Sequence, residues 1–169
     1  MKRLYAALAI AALAACATTP SEPERATAQL LPTKGSKTIG EVTFEQVGDK
    51  VRIIANVQGL KPGHEHGFHI HEAGDCSSGD GMSAKGHFNP FGKPHAKPGS
   101  GHAGDLTALV ANKAGRARLD LEVGGITVAP GPASIIGRGL IVHADADDYK
   151  TQPTGNSGAR IACGVIRIE

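Results

Sequence analysis

The chain has 169 residues and a formal net charge of +2, from 18 Lys+Arg against 16 Asp+Glu, which leaves no excess charge for gripping nucleic acid. Its 23 glycines, 10 prolines and aromatic content of only 4%, with no Trp, disfavour a helical bundle and point to short elements joined by turns. A hydrophobic fraction of 40% suffices for one soluble core and is too little for a chain that lives across membranes.

At the start, Lys2 and Arg3 precede an apolar run from Leu4 to Ala15 that ends in small residues, the pattern of a secretory signal peptide over residues 1–15. The run is 12 residues long, short of the roughly 20 that span a bilayer. Its end, Leu13-Ala14-Ala15-Cys16, resembles the bacterial lipobox, in which Cys16 becomes the lipidated first residue; the alternative is an ordinary cleavage site beside an unrelated cysteine. Ala17 resembles the outer-membrane sorting pattern. The expected location is therefore the periplasmic face of a bacterial membrane, the outer one, with the lipid as the only membrane contact. Loss of Lys2 and Arg3 leaves the remainder formally neutral. Residues 16–36 carry Pro20, Pro23 and Pro32 among Thr, Ser, Glu and Gln and read as the lipidated cysteine plus a flexible tether. The folded domain is expected over 37–169.

Within that domain, Val51, Ile53, Ala55 and Val57 alternate with Arg52, Ile54, Asn56 and Gln58, and Ala117, Leu119, Leu121 and Val123 repeat the period of two. Val47-Gly48-Asp49-Lys50 and Asn112-Lys113-Ala114-Gly115 supply turns, and Leu140-Ile141-Val142 reads as a more buried strand. The pattern predicts an all-β antiparallel sandwich or barrel, without a capped amphipathic helix of three turns. Glu72 to Gly104 differs: 33 residues rich in Gly, Ser, Pro, Lys and His, without periodicity. So long a loop in a compact domain is disordered or functional, and something must hold it.

Two features can do so. Once Cys16 is committed to lipid, Cys76 and Cys163 are the two remaining thiols in an oxidising compartment, and a disulfide follows. A bridge across that separation restricts the unfolded chain by up to ~4–5 kcal/mol. The second feature is histidine: seven of eight lie between His64 and His102. His69 and His71, two apart on a strand, point to one side and can chelate one ion, although an H-x-H pair alone is weak evidence. His87, His95 and His102 follow, with Asp105 three positions on and His143 at a strand end. Three imidazoles and a carboxylate suit zinc; an all-imidazole set suits copper or zinc. The count allows two metals.

The order of segments then resembles the copper,zinc superoxide dismutase family from about Glu41 to Glu169. It is carried by His66-Gly67-Phe68-His69-Ile70-His71-Glu72, Gly86-His87-Phe88-Asn89-Pro90, His102-Ala103-Gly104-Asp105-Leu106, Val142-His143-Ala144-Asp145-Ala146-Asp147-Asp148 and Gly155-Asn156-Ser157-Gly158-Ala159-Arg160-Ile161-Ala162-Cys163-Gly164-Val165-Ile166. The resemblance implies a Greek-key fold with long metal-binding loops, and conversion of superoxide to dioxygen and hydrogen peroxide. It implies copper ligands His69, His71, His87 and His143, and zinc ligands His87, His95, His102 and Asp105. His87 then bridges both ions and hands a proton to the peroxide. Arg160 matches the anion-docking arginine. Asp147 matches the carboxylate that accepts N–H bonds from one ligand of each metal, His69 and His95. His66 packs behind the site, and His64 has no counterpart.

Lys85, Lys93, Lys97 and Lys150 are candidates for a positive funnel at the mouth. A passive copper or zinc store would need the ligands but not Arg160, and a copper-only relative would lack His95, His102 and Asp105. Both monomers and homodimers are compatible with the sequence.

Overall fold

The computed structural model describes residues 24–169; the signal peptide and Cys16 lie outside them. In chain order the strands are β1 (Arg25–Pro32), β2 (Ile39–Val47), β3 (Lys50–Gln58), β4 (Glu65–His66), β5 (Phe68–His71), β6 (Leu109–Val110), β7 (Arg116–Gly124), β8 (Gly139–His143), β9 (Arg160–Val165) and β10 (Arg167–Ile168). A single 3-10 turn, Met82–Ala84, is the one helical element among the described residues.

Eight strands form one antiparallel sheet in the order β5-β8-β9-β1-β2-β3-β7, with β10 added on β1; β4 and β6 form a two-stranded ribbon. Non-sequential neighbours β9-β1 and β3-β7 mark crossovers, and the sheet curls around one core. The alternation expected of β3 is present: Val51, Ile53, Ala55 and Val57 are buried while Lys50, Asn56 and Gln58 face solvent. Phe44 opposite Ile53 and Val42 opposite Ala55 place β2 on the same core. Full burial of Phe44 or Ile53 contributes about 1.5–3 kcal/mol each. Gly48, at φ 60°, makes the tight β2–β3 turn where a side chain would be strained.

One expectation is corrected. The tether does not extend to residue 36, because Arg25–Pro32 is a strand held between β2 and β9. Ala26, Ala28 and Leu30 point into the core at no more than 1% exposure, while Arg25, Gln29 and Leu31 point out. Alanine buries so little apolar area that this period of two is nearly silent in the sequence, and the strand gains its stability from neighbours on both edges. Pro32 sits at its end, where a missing N–H is tolerated.

The 72–104 segment contains no strand, yet it is stitched to β5. Phe88 N–H donates to Ile70 O at 2.8 Å, Ile70 N–H to Gly104 O at 2.9 Å and Gly104 N–H to Phe88 O at 2.9 Å. The disulfide Cys76–Cys163 pins the start of the same segment to β9. Phe88 packs in the main core under the Arg138 guanidinium, 4.3 Å above its ring.

Candidate metal centre

On β5, Phe68 and Ile70 enter the hydrophobic core while His69 and His71 face the other way, as a strand's alternation requires. Both imidazoles are fully buried because the stitched loop covers that face. An isolated bridge pairs His71 with His87, and another pairs His69 with Asp105. His143 ends β8, where the register with β9 shifts between Val142 and His143 and re-aims the backbone.

These elements bring together two groups that share one residue: His69, His71, His87 and His143; and His87, His95, His102 and Asp105, with the donor atoms of each group within 4.8 Å of one another. In the first group one nitrogen of each ring is held. His69 Nε2 donates to Asp147 Oδ2 at 2.7 Å and His71 Nδ1 to Lys85 O at 2.8 Å; His143 Nδ1 lies 3.3 Å from Gly158 O. The opposite nitrogens, His69 Nδ1, His71 Nε2, His87 Nε2 and His143 Nε2, are buried with no hydrogen-bond partner. Four unpartnered buried imidazole nitrogens in one group are costly unless a cation takes their lone pairs.

In the second group, three Nδ1 atoms converge on one carboxylate. His87 Nδ1 is 2.8 Å from Asp105 Oδ1, His102 Nδ1 is 3.3 Å from the same oxygen, and His95 Nδ1 is 3.0 Å from Oδ2. His95 Nδ1 makes no hydrogen bond there despite the distance. Three imidazoles and one carboxylate match the four-coordinate donor set of zinc, and four imidazoles match copper. The residues present fit both ions.

Electrostatics favour neutral rings at His69, His71 and His143. Burial pushes His69 down to about 4 and His143 down to about 3, against the support of their hydrogen bonds to Asp147 and to the Gly158 carbonyl respectively. Burial likewise drives His71 well down, with the charges of His87, Arg160 and His143 adding to it. Asp105 is buried, which opposes ionisation, but its histidine neighbours, His87 first, hold it down at about 2. His95 is also opposed by burial, yet Asp147 and Asp105 outweigh this and raise it.

Asp147 joins the groups: Oδ2 accepts from His69, Oδ1 from His95 at 2.9 Å and from Tyr149 N–H at 2.7 Å. The neighbouring acids do other work. Asp145 is exposed, and Asp148 accepts from the N–H groups of Lys150 and Thr151. At Gly155, φ is 67° and a Cβ would run into the Asp147 carboxylate and His95 Nε2, so only glycine lets the carboxylate sit there.

Arg160 opens β9 and donates Nη1 to Gly81 O at 2.6 Å and Nη2 to Lys85 O at 2.5 Å. Sequence reasoning missed Lys85's part here: its carbonyl also accepts from His71, and its backbone adopts φ 62°, unusual for a residue with a side chain. Lys85, Lys93, Lys97 and Lys150 are all exposed, and Lys85 Nζ lies 3.7 Å from Glu72. His66 is buried with Nδ1 2.8 Å from His143 O, whereas His64 faces solvent.

Residues 38–166 match the profile of the family described as copper/zinc superoxide dismutase. A Superoxide dismutase [Cu-Zn] 2 of Aquifex aeolicus is 39% identical over 99% of this chain and 100% of its own length. A Superoxide dismutase [Cu-Zn] of Deinococcus radiodurans is 38% identical over 92% of this chain and 90% of its own. The crystal structure of a SOD-like protein from Bacillus subtilis superposes with a TM-score of 0.75 at 36% identity, covering 82% of this chain and 96% of that one. With the two histidine groups, the curled antiparallel sheet and the disulfide in place, these matches make the chain a member of the copper/zinc superoxide dismutase family.

Proposed function

We propose that this member of the family disproportionates superoxide with copper held by His69, His71, His87 and His143, and zinc held by His87, His95, His102 and Asp105. The observation that carries the reading is His87, whose unpartnered Nε2 belongs with the first group while its Nδ1 faces Asp105 in the second. When bound, copper supplies one-electron redox exchange and zinc a fixed positive charge, so that two superoxide anions and two protons yield dioxygen and hydrogen peroxide.

The residues do the rest. His87 serves both ions only if it gives up both ring protons, and its Nε2 is the atom at which a proton can then be taken up and passed to the reduced product. Asp147 fixes the tautomers of His69 and His95 by accepting from Nε2 of each, which aims their Nδ1 atoms inward. Arg160 is half-buried and tied to two carbonyls, so its charge is anchored beside the copper ligands for an incoming anion. The exposed Lys85, Lys93, Lys97 and Lys150 are assigned a local positive funnel at the mouth, on a domain that is neutral overall.

The direct test is superoxide disproportionation by the fully metallated protein against the same protein stripped by a chelator. Activity that requires both metals supports the reading, and an inactive, fully metallated protein refutes it. The further reading of the N-terminus is an exported lipoprotein anchored through Cys16 in the outer membrane, its domain acting as a monomer or homodimer. Cys16→Ser should release the protein from membranes.

A further inference from the structure

The zinc ligand His95 lies in a segment with no strand neighbour, and the groups that would ordinarily pair with a strand are met by one side chain. Gln152 Oε1 accepts from the His95 N–H at 2.8 Å, and Gln152 Nε2 donates to the His95 carbonyl at 2.7 Å. A carboxamide carries an acceptor oxygen and a donor nitrogen side by side, so this reciprocal pair reproduces a rung of a β-ladder. His95 itself is 2% exposed, so water does not readily replace either bond.

Gln152 comes from the same short unit as Asp147, which holds the far end of the His95 ring at Nε2. The unit is closed on itself: Asp148 Oδ1 accepts from Lys150 N–H at 2.9 Å and Thr151 N–H at 2.8 Å, Gly155 N–H donates to Thr151 O at 2.7 Å, and Asp148 N–H donates to Gly155 O at 2.9 Å. His95 is therefore gripped at its backbone and at its ring tip by one rigid piece of chain 52 to 57 positions downstream. Its own loop offers no such grip.

We infer that Gln152 is a positioning residue for zinc: by clamping the His95 backbone it sets the direction of His95 Nδ1 and thereby the rate at which zinc escapes. The inference rests on His95 being a zinc ligand. Its physical basis is that residues holding a metal ligand in orientation tune the affinity of the site, with losses of about 10–100-fold when they are removed.

The test uses the fully metallated protein with Gln152→Met, which keeps length and shape without the donor and acceptor, and Gln152→Glu, which keeps the acceptor and loses the donor. Zinc release to a chromophoric chelator should be about 10–100-fold faster in the Met variant, with the Glu variant between it and wild type. Copper should be retained in both. With cobalt(II) in the zinc position, the visible bands of the Met variant should shift or broaden. In the metal-free protein, hydrogen exchange at the His95 amide should speed up in the Met variant while the Asp105 amide, bonded to His102 O, keeps its protection. A wild-type zinc release rate in Gln152→Met overturns the inference. So does faster release accompanied by equal copper loss and an equally lowered melting temperature of the metal-free protein, which is general loosening. If His95→Ala holds zinc as tightly as wild type, the zinc assignment itself fails and the inference with it.

Discussion

Arg160 and His71 donate to the same oxygen, the carbonyl of Lys85. One backbone atom thus ties the cation proposed to receive the substrate to a ring proposed to hold copper, and fixes the spacing between them. Because the acceptor is a main-chain atom at φ 62°, held by the disulfide-anchored loop on one side and β5 on the other, the arrangement persists only while that loop stays docked.

The first prediction concerns Arg160. Arg160→Lys keeps the charge but cannot reach both Gly81 O and Lys85 O with one planar fork, and Arg160→Glu repels an anion. Activity should fall in the order wild type, Lys, Glu at equal copper content. Added salt should slow the wild type, since attraction is screened over a Debye length of about 8–10 Å, and should slow the Glu variant less or speed it. Three equal activities with equal salt responses would remove Arg160 from the mechanism.

A second prediction separates the two metals. His95→Ala or Asp105→Ala removes a donor from the second group alone, so zinc should be lost, the 72–104 segment should exchange amide hydrogens faster and the melting temperature should fall, while copper stays bound. Melting and zinc content both equal to wild type would contradict the assignment.

The Asp147 carboxylate offers a sharper probe of ligand orientation. Asp147→Asn keeps size but turns one of its two accepting atoms into a donor, facing either His69 or His95. Zinc affinity should drop by about 10–100-fold. Gly155→Ala should do the same by displacing the carboxylate. Titration with a competing chelator reads both, and unaltered affinity in the two variants would show that Asp147 does not orient these rings.

Acid stability of the metal-free protein has a definite sign. His69 and His143 are held below their unfolded value of 6.5, to about 4 and about 3, so protons bind the unfolded chain first. Their contribution is intact above about pH 6.5 and is lost progressively as pH falls through the folded values, amounting to about 3 kcal/mol for His69 alone. Asp105, lowered from 3.8 to about 2, contributes above about pH 4 and is lost in the window from there to pH 2. His95 is shifted the other way, so its contribution is complete below about pH 6.5 and is lost only as pH rises above that value, outside the window of the first loss. Denaturant unfolding from pH 8 to 3 should therefore show a steady decline beginning near pH 6.5, and a flat profile down to pH 4 would contradict burial of neutral rings.

What the sequence by itself determined is local. The strands β3 and β7, the turn at Gly48, the shared direction of His69 and His71 and the identity of the donors follow from a period of two and from side-chain chemistry, which each residue carries wherever it stands. The disulfide partners were legible because few thiols were present. Tertiary structure alone decided the rest. Strand β1 was invisible because Ala26 and Ala28 carry almost no hydrophobic signal, and only pairing with β2 and β9 makes them core. Lys85 entered the site through its own carbonyl and Gln152 through bonds to the His95 N–H and carbonyl, main-chain groups that no motif distinguishes. Asp147 differs from Asp145 and Asp148 only in which way its carboxylate faces once Gly155 has made room for it, because its bonds to His69 and His95 span 78 and 52 residues and exist only after the loops have closed over β5.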